Sequence, residues 1–292
     1  MQFDVIIIGG SFAGLAAALQ LGRARRTVLV IDAGERRNRF ASAAHGFLGR
    51  DGVAPGEIIA EATSQLARYV TVATLKGSAS KAGRTEEGFY VETRNDTFHG
   101  KRLILAGGAV DVLPDIPGLA DRWGTSIFHC PYCHGYELER GPIGVLATSA
   151  LSMHHALMLP DWGPTRLLIN DSFVPDDAQR SALAGRGVTV EEGRVRRIFG
   201  QRPTVELANG RTFEFAGIFT LGRTMGGPIA EQLGCDLKDG PLGKFIGVDE
   251  QQQTSVPKIF ACGDVARAAG SIALAVSDGS MAGVAAHRSL IF

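Results

Sequence analysis

The sequence predicts an α/β chain built from two parallel-sheet domains, the second inserted into the first. Three observations carry this. The N-terminus reads strand, glycine turn, Ala-rich helix, strand; a second strand–helix–strand pattern starts at Ile143; and the 292 residues are about twice the ~150 expected of one domain.

The elements follow in order. Val5-Ile6-Ile7-Ile8 is a continuous β-branched run, the signature of a strand covered on both faces. A helix is predicted over Phe12–Leu21, closing near Gly22, and a second strand over Thr27–Ile31, ending at Asp32. Arg102–Ala106 reads as a strand that runs into Gly107-Gly108. Leu113-Pro114-Asp115-Ile116-Pro117-Gly118 reads as a linker, because each proline lacks an N–H and drives its predecessor toward extended backbone. The second unit opens with strand Ile143–Leu146, continues through a helix over Ser152–Leu159 and returns at Arg166–Ile169. Lys258–Cys262 is a strand that meets Gly263-Asp264, followed by a helical stretch over Ile272–His287. With the return crossing placed near Gly240–Gly247, the expected domains are 1–115 joined with 243–292, and 116–242.

Composition narrows the function. Apolar residues make up 45% and charged residues 21%, which is globular rather than disordered composition. Thirty basic side chains balance thirty acidic ones, so no net field draws the chain to nucleic acid or to an anionic membrane, and neither is expected as a partner. The start lacks the basic segment and long apolar run of an export signal, so a cytoplasmic protein is expected. Only four cysteines occur, and they do not form the framework of a secreted disulfide scaffold.

The first chemical motif is Gly9-Gly10-Ser11-Phe12-Ala13-Gly14, set between strand and helix. There G-x-G-x-x-G aims backbone amides and a helix N-terminus at a pyrophosphate. Ser11 stands at the second glycine position, and Asp32 ends the next strand, where a carboxylate can accept from a ribose hydroxyl. A Rossmann-like dinucleotide-binding domain is the reading. Gly263-Asp264 with the helix after it, and the Ala106-Gly107 strand end, resemble the corresponding segments of the two-dinucleotide-domain flavoproteins. The resemblance implies FAD, with Asp264 on the ribitol chain and Ile272-Ala273 at the flavin pyrimidine, where a helix dipole stabilises negative charge.

Cys130-Pro131-Tyr132-Cys133-His134-Gly135-Tyr136-Glu137 carries the second motif. C-x-x-C spacing in such a chain reads as a redox pair. Structural zinc with His129 or His134 as ligands is the rival, disfavoured because Cys235 and Cys262 stand far apart, and no metal is expected. A flavin fold with its C-x-x-C in the inserted domain resembles the low-molecular-weight thioredoxin reductases. The C-x-x-C-H-G-Y-E run is similar to the FAD-dependent dithiol oxidases of that group, which form disulfides in gliotoxin-, holomycin- and romidepsin-type products. That resemblance implies a small-molecule dithiol or disulfide substrate, a thioredoxin-like protein as the alternative partner, and a homodimer. It also implies Cys130 as the outer, substrate-facing sulfur and Cys133 as the inner one facing the flavin, and oxygen or another acceptor is expected to reoxidise the FAD. His134, where the reductases carry an acid, is expected to act as base toward the entering thiol and to pair with the nascent thiolate; the alternative is a helix-start residue bonding only backbone.

The middle turn, Ala147-Thr148-Ser149-Ala150-Leu151-Ser152, has no glycine where a pyrophosphate needs close backbone approach, and Asn170-Asp171 offers no cation for a 2′-phosphate. Pyridine nucleotide is expected to bind poorly there, which argues against an NAD(P)H-dependent reductase. A flavin-bearing redox sensor without turnover is the alternative of another class. His154 and His155 read as packing or surface residues, Cys235 and Cys262 as small apolar fillers. Arg36, Arg37 and Arg39 read as loop charges near the adenosine phosphate, and His45 as a loop residue without assigned chemistry.

Overall fold

The computed structural model describes residues 2–225 and 227–292. It divides into two compact units, one comprising Met1–Arg39, Pro55–Val110 and Thr224–Phe292, the other Phe40–Ala54 and Asp111–Arg223. The second crossing therefore falls at residues 223 and 224, ahead of the expected Gly240–Gly247. The reason is packing: Ile229, Ala230 and Leu233 are buried in the first unit's core with Ala82 and Ile246, and the Gln232 side chain accepts from the Ala82 N–H at 3.1 Å.

In the first unit, β1 (Gln2–Ile8), α1 (Phe12–Arg23) and β2 (Val28–Asp32) form the expected βαβ unit. Helix α2 (Pro55–Leu66) leads into β3 (Val72–Lys76). The order β3-β2-β1-β6 is parallel, with β6 spanning Thr97–Leu105, and the strand Ile259–Ala261 adds to β6, also parallel. Val5, Ile6 and Ile7 are wholly buried; each apolar side chain so covered contributes about 1.5–3 kcal/mol. β6 starts earlier than expected because its first half pairs antiparallel with β5 (Phe89–Glu92), which pairs in turn with β4 (Lys81–Arg84). Lys258 stays outside the last strand, since its φ of 72° is left-handed.

The C-terminal helix, Ile272–Ser289, lies on α1 at backbone distance: a Cβ on Gly279 would overlap the Ala13 carbonyl. This close approach fixes the start of α1 relative to the sheet.

The second unit has its own parallel sheet, in the order Thr189–Glu191, Thr165–Leu168, Ile143–Leu146, Gly217–Thr220, Ile127–Phe128. An antiparallel ribbon of Val195–Phe199, Thr204–Leu207 and Thr212–Glu214 adjoins it in sequence. Helix α3 (Pro131–His134) follows Ile127–Phe128, and α4 (Ser152–Met158) follows Ile143–Leu146. Helix α4 ends just ahead of Pro160, which cannot continue a helix. No helix among the described residues is long and apolar enough to cross a membrane.

Candidate active site

In the first unit the predicted nucleotide residues gather at the carboxyl edge of the sheet, because the strands they follow run parallel. Gly9 and Gly10 follow β1, Asp32 ends β2, Ala106 and Gly107 follow β6, and Gly263 and Asp264 follow Ile259–Ala261. Gly9 has φ 105°, and a Cβ there would overlap the Ala106 carbonyl, so only glycine lets the two strand ends meet. The Gly10 N–H donates to Asp32 Oδ1 at 3.0 Å, which ties the turn to the carboxylate.

Ser11 is the extended N-cap of α1, and its hydroxyl caps no amide; the first bond of the helix runs from the Leu15 N–H to the Ser11 carbonyl. The amides of Phe12, Ala13 and Gly14 thus have no intrahelical acceptor, the arrangement that takes a phosphate. Arg36 Nε, on the loop after β2, is buried without a hydrogen-bond partner, and Arg37 pairs with Asp264 at 2.8 Å. Ile272 and Ala273 open the C-terminal helix, whose Ser271 cap accepts from the Leu274 N–H at 3.2 Å. Uncapped amides, a buried unpaired guanidinium nitrogen and a carboxylate at the end of β2 fit a dinucleotide.

The second unit carries the sulfur chemistry. Cys130 is the extended N-cap of α3, and Pro131 at the first helical position has no N–H to satisfy. The helical turn brings Cys133 back over Cys130, and the two are joined as a disulfide with Cα atoms 5.3 Å apart. His134 closes α3 rather than opening it, so the helix-start reading is corrected. Its ring lies on Phe128 with centroids 4.3 Å apart and planes 20° from parallel. Burial lowers its proton affinity below the usual imidazole range, Glu137 draws it partly back up, and His45 lowers it again. The neutral ring is the favoured resting form, which suits a proton acceptor.

Around this pair stand residues that the sequence did not single out. Phe128 is buried and also touches Phe219. Trp162 meets Tyr132 edge-on with ring centroids 5.3 Å apart. The only sequence signal for the aromatics was their proximity to the cysteines; Trp162 had none. Among the described residues no group of three or more His, Cys, Asp or Glu could hold a metal.

The turn entering α4 takes up several of its own amides. The Thr148 N–H donates to Ser152 Oγ at 3.1 Å and the Leu151 N–H to Ser149 Oγ at 3.3 Å, while the amides of Ser152, Met153 and His154 find the carbonyls of Ser149, Ala150 and Leu151. Asn170 is spent inside the unit, accepting from the Val195 N–H at 2.9 Å. Where α1 offers amides, those opening α4 are already taken. His154 and His155 diverge as adjacent helical positions must, the first exposed, the second buried. Cys235 and Cys262 are buried, and burial raises both thiols.

A nucleotide cradle on one parallel sheet and a bonded Cys-x-x-Cys pair with a neighbouring imidazole on the other define a flavin-type disulfide oxidoreductase. The chain belongs to the pyridine nucleotide-disulphide oxidoreductase family, whose model matches residues 3–282. It is 32% identical to thioredoxin reductase tcpT of Claviceps purpurea over 314 residues, 99% of this chain and 94% of that protein. Among solved structures it resembles the oxidoreductase from Agrobacterium tumefaciens, with 56% identity, a TM-score of 0.97 and 100% and 99% of the two chains covered. It also resembles HlmI, with 35% identity, a TM-score of 0.93 and 99% and 93% covered. This is a family of FAD-binding flavoproteins, and FAD is the cofactor.

Proposed function

We propose that the chain is a dithiol oxidase, converting a small-molecule dithiol to its disulfide at Cys130 and Cys133 with oxygen as the final oxidant. FAD, when bound, supplies the two-electron acceptor that restores the Cys130–Cys133 disulfide. The residues that would hold it are the amides of Ser11, Phe12, Ala13 and Gly14 on the pyrophosphate, Asp32 on a ribose hydroxyl, Asp264 on the ribitol, and Ala106, Gly107, Ile272 and Ala273 about the flavin.

The chain's own steps are thiol exchanges. A substrate thiolate attacks Cys130 Sγ, the Cys130–Cys133 bond breaks, and Cys133 leaves as thiolate. The second substrate sulfur then attacks the first, closing the product disulfide and releasing Cys130 as thiolate. His134, poised neutral by burial, accepts the proton that each entering thiol must lose. Phe128 holds the ring in plane while it does so.

The observation that supports oxidation over reduction is the α4 turn, where the amides of Thr148, Leu151, Ser152, Met153 and His154 are already bonded within the unit. Anaerobic mixing tests it: dithiothreitol should bleach the flavin rapidly, NADH and NADPH slowly or not at all. Rapid bleaching by micromolar NADPH would instead establish the second reading, a disulfide reductase with a thioredoxin-like partner, which the name of the Claviceps purpurea relative favours. Flavin reduced by dithiol without steady-state turnover in air would leave a redox sensor.

A further inference from the structure

The segment Phe40–Ala54 departs from its neighbours in the chain to cluster with the second unit. It is a built loop. The Ala44 N–H donates to the Val53 carbonyl at 2.9 Å, the Gly52 N–H returns to the Ala44 carbonyl at 2.9 Å, and the Arg50 N–H closes on Phe47 at 2.8 Å. The Gly46 N–H donates to Asp51 Oδ1 at 2.7 Å. These bonds fix the residue between Ala44 and Gly46. That residue is His45, whose Nε2 lies 3.4 Å from Glu137 Oε1 and whose Nδ1 lies 3.7 Å from Asp51 Oδ1.

Glu137 is therefore shared. One turn after His134 in sequence, it acts on that imidazole as an anion, while holding the imidazole of His45. The charged groups acting on His134 are Glu137 and His45, with the apolar ring of Phe128 covering one face; those at His45 are Glu137 and Asp51. A carboxylate between two imidazoles can neutralise one added proton fully or two partially.

We propose that Glu137 and His45 are positioning residues that act as one charge-setting pair on His134. The Glu137 carboxylate stabilises the positive charge that His134 gains on taking the substrate thiol proton, and His45 sets how much of that carboxylate is available. The proton moves from substrate sulfur to the His134 ring, the electron pair stays on sulfur for attack at Cys130, and no other reactant is needed. The inference rests on the proposed role of His134. It adds that the site's pH response is set by an element remote in sequence from the Cys-x-x-Cys run.

Two substitutions should act in opposite directions. Glu137→Gln removes the anion and should move the His134 titration down, the larger effect because Glu137 outweighs His45. His45→Gln removes a competitor for the carboxylate and should move it up by a smaller step. The readout is the imidazole Cε1–H titration by NMR of the FAD-loaded protein, with the acid limb of the dithiol pH–rate profile moving alongside. Glu137→Asp keeps the charge and should return the titration most of the way, which separates charge from fold. A His134 titration unmoved in both Gln variants, or moved the same way by both, would overturn the proposal. If no dithiol turns over yet the two titrations shift oppositely, the charge pair stands and the oxidase reading falls.

Discussion

Phe128 lies flat on His134, ring centroids 4.3 Å apart and planes 20° from parallel, and this contact ends the freedom of the one imidazole in the Cys-x-x-Cys run. Phe128 is itself held by the sheet, its strand pairing with Gly217–Thr220 and its ring against Phe219. The imidazole is thereby placed by the core of the second unit rather than by its own four-residue helix.

Replacing Phe128 by Leu keeps an apolar group of similar bulk, so the fold should lose no more than about 1.5 kcal/mol. The imidazole, however, loses its flat support. Dithiol turnover should fall at least about tenfold, with His134→Ala losing the larger part of the ~10²–10⁴ that a general base supplies. Steady-state kinetics beside urea unfolding separate the two effects; turnover that tracks stability alone would remove the positioning role.

Gly9→Ala tests the cradle. The new Cβ would overlap the Ala106 carbonyl and Gly9 sits at φ 105°, so the turn must open, at a backbone cost of about 1–3 kcal/mol. The purified variant should be pale and should lose flavin on dialysis, while the native protein stays yellow. Full flavin content in the variant would show that the turn does not hold the cofactor.

The cysteines should separate by spectrum. Under the proposed roles, Cys130→Ser leaves a lone Cys133 thiol whose thiolate gives a long-wavelength charge-transfer band with oxidised FAD. Cys133→Ser should lack the band and instead trap a stable mixed disulfide through Cys130. Both should lose dithiol turnover. A band in Cys133→Ser alone would reverse the inner and outer assignments.

Much of this architecture could be read from residue order, and the reasons are local. Val5–Ile8 and Ile143–Leu146 are strands because β-branched and aliphatic runs suit sheets covered on both faces, and both appear where expected. The placing of Gly9, Gly10 and Asp32 at the strand ends was legible because close backbone approach favours glycine there and the end of the next strand favours an acid. What could not be read depends on distant packing. Trp162 reaches Tyr132 only because the second unit folds them together. His45 meets Glu137 across a large sequence gap, and nothing in its Gly-bounded loop announced that partner. The unit crossing was misplaced for the same reason: Ile229 and Leu233 belong to the first unit through contacts with residues far back in the chain.

One buried histidine lies outside the chemistry. His155 is buried on α4, edge-on to His129 and Phe219 with centroids 6.1 and 6.2 Å away, and its Nδ1 has no hydrogen-bond partner. Burial first, then the neighbouring His129 and His154, push its proton affinity down to about 4. The folded chain therefore keeps the ring neutral where the unfolded chain, near 6.5, takes up a proton. Its contribution is complete above about pH 6.5 and is lost as pH falls toward 4, because the unfolded state binds the extra proton in that window. The full span corresponds to something on the order of 3 kcal/mol, with about 2 of it gone by pH 5. His155→Phe keeps an aromatic ring against Phe219 and removes both the titration and the unpaired nitrogen. The urea midpoint should drop between neutrality and pH 5 for the native protein and drop far less for the variant. Equal acid losses in the two proteins would show that His155 does not govern the acid sensitivity of this unit.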